Sequence, residues 1–249
     1  MKKIVTAILA LALCASVAVA SAGCGCEKNK KAAKSTTSTS SGQGYKIEPT
    51  NPDFEEGEFG FYRLNDKEVK VTVYNGKAKS VEIPQTVNGA NVTVVGANLF
   101  QGKDVESVKI PETVTEIQKH AFSSCQNLTT VNLPKGLKVI GENAFWNCKK
   151  LTSIELPATL KKVEWYAFSA TGLTSVTIPE SDTFVTLNER LFFQCANLKE
   201  VNLPITITKI ADDTFAECAA DLTIKAYTGS YGVSYAQSHN IALEELPRS

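Results

Sequence analysis

Histidine is nearly missing from this chain of 249 residues, which contains only His120 and His239. The chain also contains no phosphate-binding loop, no dinucleotide-binding fingerprint and no calcium-binding repeat. Neither histidine stands in the sequence beside an expected nucleophile. These absences argue against an enzyme, and we predict no catalytic residue and no cofactor.

A positively charged stripe is also missing. Residues 45–249 carry 20 Lys and Arg residues against 25 Asp and Glu residues, which gives a net charge of −5. Proteins that bind nucleic acid need a basic surface that neutralises phosphates. An acidic domain therefore argues against nucleic acid as the partner.

Charge is absent from Ile4 to Cys26, directly after the sequence Met1-Lys2-Lys3. A charged start, an apolar middle and a small-residue end are typical of a secretory signal. A membrane-spanning anchor is the alternative, because an uncharged run of this length nearly crosses a bilayer core of about 30 Å. The Ala-rich composition favours a signal peptide over residues 1–23.

The cleavage site has two interpretations. Ala22-Gly23-Cys24 resembles a bacterial lipobox, in which the cysteine becomes a diacylated first residue, although Ser21 stands where that motif usually has Leu. Ordinary signal peptidase would instead cut after Ala20. Residues 27–44 contain no aromatic or branched aliphatic residue, so they are typical of a flexible tether. Since a tether suits a domain held away from a membrane, we favour a lipid-anchored tether over residues 24–44, attached at Cys24, with secretion as the alternative.

Phenylalanine recurs at a nearly fixed interval in the second half of the chain. Successive members of the series are 22, 23, 23, 24 and 23 residues apart. A fixed period in this range indicates a solenoid, in which stacking builds a core that no unit could bury alone. The series consists of Phe100, Phe122, Phe145, Phe168, Phe192 and Phe215.

The pattern predicts a strand-dominated α/β solenoid with about six repeats of 22–27 residues over residues 85–224. Each repeat contains two short apolar segments, and one of them closes on proline, which cannot donate to a strand ladder. These segments predict short parallel strands. Leu191 and Thr214 stand where other units have Ala, as at Ala121, Ala144 and Ala167. We expect the fifth unit, which contains Leu191 and is longer, to be distorted.

Different patterns flank the repeats and predict a cap at each end. Residues 45–84 contain a candidate β-hairpin, with Val69, Val71 and Val73 alternating on one apolar face. Residues 225–249 contain a candidate short helix, with Ser230 as its N-cap and with Tyr231, Tyr235 and Ala236 on its inner side.

Four cysteines occupy one repeat position. Zinc needs ligands clustered around a point, whereas a row with about 5 Å between rungs offers at most two neighbours. Parallel stacked side chains also keep their Cβ atoms beyond the usual disulfide separation of about 3.5–4.5 Å. We therefore predict no metal site and a row of buried free thiols: Cys125, Cys148, Cys195 and Cys218, with Thr171 in the middle unit.

Aromatic residues interrupt the otherwise polar loop around the Ala-Phe turn. Both tryptophans of the chain lie there, in neighbouring units. Exposed aromatic side chains are enriched where proteins bind partners. Local packing is the alternative role. The candidate binding patch consists of Trp146, Trp165, Tyr166 and Phe193, with Ser169 expected to leave a shallow gap between Trp146 and Phe193.

The repeat pattern I-P-x-x-[VL]-x-x-I-x-x-x-A-F-x-x-C-x-x-L-x-x-V-x-[IL]-P resembles the BspA-like leucine-rich repeat of bacterial surface proteins. The sequence G-S-Y-G-V-S-Y-A near the C-terminus is similar to the usual ending of that family. The resemblance covers residues 59–246 and implies a leucine-rich-repeat solenoid that is displayed on the cell surface and used for binding. It implies no catalytic residue.

We therefore expect a cell-surface recognition or adhesion module that binds an extracellular protein or glycan. The alternative is a structural or carbohydrate-capturing envelope lipoprotein that assists separate enzymes. A membrane contact through the lipid anchor belongs to both hypotheses.

Lipid attachment at Cys24 is testable by substitution. Cys24→Ser removes the thiol that accepts the diacylglyceryl group, so the protein should leave the membrane fraction or stall during processing. Membrane fractionation and intact-mass measurement check this result. If the variant fractionates and matures like the wild type, the lipoprotein hypothesis is wrong and cleavage after Ala20 is preferred.

Overall fold

Short strands are the main regular secondary structure of the fold. The structure is a computed structural model that describes residues 51–248, so the predicted signal peptide, Cys24 and the tether lie outside the described residues. Within residues 51–248 no helix is both long and apolar enough to cross a bilayer. The strands are β1 (Phe54–Glu56), β2 (Phe59–Arg63), β3 (Glu68–Tyr74), β4 (Ser80–Glu82), β5 (Thr86–Val87), β6 (Ala90–Val95), β7 (Ser107–Lys109), β8 (Glu116–Ile117), β9 (Thr130–Asn132), β10 (Val139–Ile140), β11 (Lys162–Val163), β12 (Ser175–Thr177), β13 (Thr186–Leu187), β14 (Glu200–Leu203), β15 (Lys209–Ile210), β16 (Thr223–Tyr227) and β17 (Ala242–Leu246), and the helix is α1 (Tyr231–Ser238).

The strands form two rows along the stack. One row is the sheet β1-β2-β3-β6-β8-β10-β11, with β5 paired to β6, and it resumes as β13-β15. The other row is β4-β7-β9 and then β12-β14-β16-β17. Strands of successive repeats pair in parallel, as in the register Ile140 to Val163. The predicted strand-dominated solenoid is confirmed, and the stack has about eight turns because rungs at β4 and β17 extend it beyond the six motif-bearing repeats.

Proline marks the corner after a strand of the second row. The carbonyl of Pro111 accepts a hydrogen bond from the Val114 amide at 3.1 Å, and the carbonyl of Pro134 accepts one from the Leu137 amide at 3.0 Å. Proline has no amide hydrogen to donate to a ladder, so it ends the strand while its carbonyl closes the following turn. The repeated proline therefore sets where each turn of the solenoid bends.

The phenylalanines stack face to face through the centre of the fold. Ring centroids of neighbouring repeats are 5.0 Å apart for Phe122 and Phe145 and 5.7 Å apart for Phe168 and Phe192. Their planes differ by only 3° and 11°. Offset stacking of this kind adds about 0.5–1.5 kcal/mol per pair beyond the burial of area. The phenylalanine column thus links every repeat to its neighbours.

Aromatic residues from outside the repeats continue this column. The Tyr74 ring lies 5.2 Å from that of Phe100, and the Tyr235 ring lies 6.1 Å from that of Phe215. Because Tyr74 belongs to β3 and Tyr235 to α1, the hairpin and the helix each pack on a terminal phenylalanine. Both end segments therefore share the core of the repeats.

A β-bulge alters the expected face of the hairpin. Strands β2 and β3 pair antiparallel, but the register skips Thr72, so Phe61 lies opposite Val71 and Gly60 lies opposite Val73. Val69 and Val71 are fully buried as predicted. Beyond the bulge Tyr74 is buried and Val73 is only half-buried, since one extra residue reverses which side chains point inward.

The third repeat lacks the strand that its apolar pattern predicts. Residues 151–156 have no strand pairing, and Ile154 and Leu156 are half-buried. The following repeat is one residue shorter between its prolines, Pro157 and Pro179, than the repeat before it. One bond from the Thr174 amide to the Thr152 carbonyl (3.1 Å) remains between the two segments. The missing residue lies only on this side, so it does not account for the absence of pairing with β9.

The fifth unit is distorted, as expected from its length. No ladder joins β11 to β13, and polar side chains bridge the interruption. The Asn188 side-chain amide donates to the Val163 carbonyl at 2.6 Å, whereas one repeat earlier the equivalent Ile140 carbonyl accepts from the Glu164 backbone amide at 2.9 Å. A side chain thus satisfies a carbonyl that the backbone satisfies elsewhere.

The C-terminal helix begins at the predicted place but differs in detail. Ser230 is its N-cap residue, yet the hydroxyl makes no capping hydrogen bond and is buried without a partner within the described residues. Tyr235 and Ala236 are buried as predicted. Tyr231 is 42% exposed, so its predicted inner position is wrong. Its neighbours Ser230 and Gly232 are buried, so this end of the helix packs on the core while the Tyr231 side chain points away from it.

Thiols form a second row beside the phenylalanines. Cys125 Sγ donates to the Phe100 carbonyl at 2.9 Å, and Cys148 Sγ donates to the Phe122 carbonyl at 3.1 Å. All four repeat cysteines are free; three are fully buried and Cys218 is half-buried. Thr171 bonds instead to the Phe168 carbonyl of its own repeat at 2.8 Å, which interrupts the row.

Alkylation should distinguish these thiols. Burial raises the pKa of Cys125 to about 12 and also raises the pKa of Cys148, so neither forms the reactive thiolate at mildly alkaline pH. The hydrogen bond with Cys195, together with burial, raises the pKa of Cys218 as well, so accessibility rather than thiolate formation distinguishes this half-buried thiol. Iodoacetamide should label Cys218 first, and slowly, in the folded protein and label all four residues only after denaturation. Peptide mass spectrometry checks the pattern. A disulfide between Cys125 and Cys148, or between Cys195 and Cys218, would contradict the geometry.

Candidate binding surface

Backbone hydrogen bonds hold the loop around each Ala-Phe turn. The Phe122 amide donates to the Ala144 carbonyl, and the Phe145 amide donates to the Ala167 carbonyl, both at 2.8 Å. The turn contains two residues of positive φ in most repeats, such as Asn143 (53°) and Asn147 (60°). Since the loop is bonded to the repeats on both sides, its side chains occupy defined positions on the surface.

Small and large side chains alternate at the position that follows each phenylalanine. Ser123 and Ser169 are buried at this position, whereas Trp146 is 39% exposed and Phe193 is half-buried. The Ser169 hydroxyl donates to the Phe193 carbonyl at 2.9 Å. The shallow gap predicted at Ser169 is therefore wrong, because the serine is fully covered.

Both tryptophans lie on the surface. Trp165 is 53% exposed and Trp146 is 39% exposed, which makes them two of the few exposed large apolar side chains in the described part of the chain. No stacked or edge contact with another aromatic ring is recorded for either indole within residues 51–248. Burial in the core is thus not their role.

Tyr166 and Phe193 form a separate pair around an arginine. Their ring centroids are 6.4 Å apart in an edge-on arrangement. The Arg190 guanidinium lies 5.5 Å from the Tyr166 centroid and 5.8 Å from the Phe193 centroid. Its Nε bonds to Asp213 at 2.8 Å, and another nitrogen donates to the Tyr166 hydroxyl. This arginine holds the two rings together.

The four residues of the predicted patch therefore occupy different surroundings. The structure brings Tyr166 and Phe193 together and leaves Trp146 and Trp165 outside that pair. Sequence reasoning missed the part played by Arg190 and Asp213. This contact was predictable from the repeat, because Tyr166, Arg190 and Asp213 occupy the same position in successive repeats and must therefore lie side by side.

Trp165 lines a groove on the outside of the fold. The groove has a volume of about 540 Å³ and crosses the interruption between β11 and β13. Trp165 and Tyr231 supply its aromatic side chains, while Glu189 and Asp212 supply carboxylates. Sequence reasoning missed this groove because Tyr231 belongs to the helix rather than to the repeats.

His239 contacts both a hydroxyl and a carboxylate. Its Nδ1 lies 3.0 Å from Ser238 Oγ, and its Nε2 lies 3.5 Å from Asp212 Oδ1. A working Ser-His-Asp triad needs a buried, hydrogen-bonded carboxylate that holds the imidazole. The Asp212 side chain is 97% exposed, so the three groups form a solvated network. We assign them no catalytic role.

The rest of the described chain offers aromatic and polar surface rather than metal chemistry. Within residues 51–248 no group of three His, Cys, Asp or Glu side chains is arranged to hold a metal ion. The chemistry that these surfaces support is non-covalent, through exposed rings, carboxylates and one held guanidinium.

Comparisons with known proteins agree with this architecture. Residues 93–221 match the family model of the BspA type leucine rich repeat region, in six copies. No curated protein sequence matches the chain significantly. Several solved structures share the fold, among them the following three.

A leucine rich repeat protein from T. pallidum is 23% identical over 75% of this chain and 95% of its own, with a TM-score of 0.58. A leucine-rich repeat protein from Bacteroides ovatus is 22% identical over 78% of this chain and 67% of its own, with a TM-score of 0.53. The pneumococcal vaccine antigen PcpA is 18% identical over 80% of this chain and 50% of its own, with a TM-score of 0.58.

Proposed function

The chain belongs to the BspA-type leucine-rich repeat family, and we propose that it is an exported recognition or adhesion module of the bacterial cell surface. Its ligand is an extracellular protein or glycan. The observation that carries this proposal is the exposure of Trp146 and Trp165 on loops that are hydrogen-bonded on both sides. Rigid aromatic side chains supply binding area at a low cost in conformational entropy.

The scaffold supports this role energetically. A loop backbone that is already hydrogen-bonded needs no ordering when a partner arrives, so less of the binding free energy is lost. The backbone of Trp146 donates to Asn143 at 3.1 Å, and its carbonyl accepts from the Ser124 amide at 2.7 Å. The loop that presents this indole is therefore already in place before binding.

Export and attachment complete the proposal. The uncharged run from Ile4 to Cys26 supports passage through the membrane, and Cys24 supports a lipid anchor. A tether over residues 24–44 would let the repeats stand away from the lipid surface. The module would then meet partners outside the cell.

A paired binding screen tests the proposed function. The mature protein is applied to a glycan array and to a panel of extracellular-matrix proteins, beside the double variant Trp146→Ala/Trp165→Ala. Loss of two anchors should weaken binding by about 2 kcal/mol or more, while the melting temperature stays nearly unchanged because both indoles are exposed.

Matched controls are Leu64→Ala and Ile205→Ala, which shorten exposed apolar side chains elsewhere (43% and 42% exposed). They should bind like the wild type. A wild-type protein that binds nothing in either screen, or a double variant that binds equally well, contradicts the proposal.

A further inference from the structure

Three residues of one repeat position lie in line along the groove. Trp165, Glu189 and Asp212 each stand three residues before the phenylalanine of their repeat, and all three line the groove. Tyr231, the first residue of α1, lines it as well. Because rungs are about 5 Å apart, the line from Trp165 to Asp212 spans roughly 10 Å. The groove thus combines two aromatic side chains with two carboxylates.

The carboxylates of this line are available to a ligand. Glu189 has no hydrogen bond or ion pair within the described part of the chain. Asp212 has a 97% exposed side chain, and its ion-pair contact is His239 Nε2 at 3.5 Å. Asp213 also lines the groove, but Arg190 neutralises it at 2.8 Å. Glu189 and Asp212 are therefore the two carboxylates of the groove that are available to a ligand.

One positively charged side chain lies in the groove with the carboxylates of Glu189 and Asp212. Lys209 lines the groove and is exposed, with no ion pair among residues 51–248. Setting its charge against those of Glu189 and Asp212 leaves the groove net negative. A cationic ligand fits this balance better than an anionic one.

Aromatic faces beside carboxylates favour a guanidinium over other cations. A guanidinium is planar, so it stacks on an indole or phenol ring while its nitrogens bond to a carboxylate in pairs. An ammonium has no flat face to stack. Tyr166 and Asp213 already hold Arg190 by related contacts one repeat position along the same loop, since its guanidinium carbon lies 5.5 Å from the Tyr166 ring centroid and its Nε makes one bond to Asp213. The chain itself thus shows the type of contact that the groove offers.

We propose that the groove of Trp165, Glu189, Asp212 and Tyr231 binds a short arginine-rich segment of a partner protein. An extended segment of about three or four residues covers a span of roughly 10 Å at about 3.3 Å per residue. This inference rests on the proposed function and specifies the ligand chemistry of one site.

Calorimetric titration with an acetylated, amidated hexa-arginine peptide tests the inference. The mature wild-type protein should bind it at low ionic strength, at least about threefold more tightly than hexa-lysine, and should not bind hexa-glutamate. Glu189→Gln and Trp165→Ala should each weaken binding by at least about threefold. Lys209→Gln should strengthen it, since it removes the opposing charge.

Two control variants carry similar changes away from the groove. Glu155→Gln removes a carboxylate from an exposed position that does not line the groove, and Leu64→Ala shortens an exposed apolar side chain of the hairpin. Both should bind hexa-arginine like the wild type. Equal effects from Glu155→Gln and Glu189→Gln would reduce the binding to non-specific charge attraction and overturn the site.

Other outcomes also overturn the inference. The inference is wrong if the wild type binds no hexa-arginine. It is also wrong if a neutral chitohexaose probe binds in a Trp165-dependent way while hexa-arginine does not, because the groove is then a glycan site. If hexa-arginine fails but the glycan or matrix screen finds a ligand that needs Trp146, only this inference fails. If both experiments find no ligand, the inference and the proposed function are both wrong.

Discussion

The stacked phenylalanine column is the interaction on which the rest of the structure depends. Ring separations stay between 5.0 and 5.7 Å from Phe100 to Phe215, although the repeats differ in length. A repeat therefore accommodates an added or missing residue away from the column. This constraint explains why the irregularities of the fold lie in the strand rows and at the surface.

The fifth repeat shows how such an irregularity creates surface chemistry. Its extra length separates β11 from β13, and Asn188 bonds to the carbonyl that a strand would otherwise satisfy. The groove crosses this interruption. At the same place Tyr166, Arg190 and Asp213 replace the usual small polar residues of the loop. Tyr166 and Asp213 hold the positively charged side chain of Arg190. A departure from the repeat thus produces both candidate features, while the core beneath remains stacked.

The period in the sequence predicts the rungs well because it reflects this column. It places the phenylalanines, the buried cysteines and most strands correctly. The period fails where one side chain covers another, as at Ser169, and the alternation that predicts the face of the hairpin fails where a bulge reverses it, as at Val73. Spacing gives the rung on which a side chain lies but neither its direction nor its neighbours.

The groove was not predictable from the repeats for the same reason. Its aromatic partner Tyr231 comes from α1, and only the folded chain brings that helix beside Trp165 and Glu189. The pair of Arg190 and Asp213 was within reach, since successive copies of one position must be neighbours.

A double-mutant cycle on adjacent rings tests the central claim that neighbouring repeats are coupled through the phenylalanine column. Phe122→Leu and Phe145→Leu, made singly and together, should show a coupling of about 0.5–1.5 kcal/mol in the free energy of unfolding. The pair Phe122→Leu and Phe192→Leu, which are not adjacent, should be additive within about 0.5 kcal/mol. Additive effects for the adjacent pair would contradict the account.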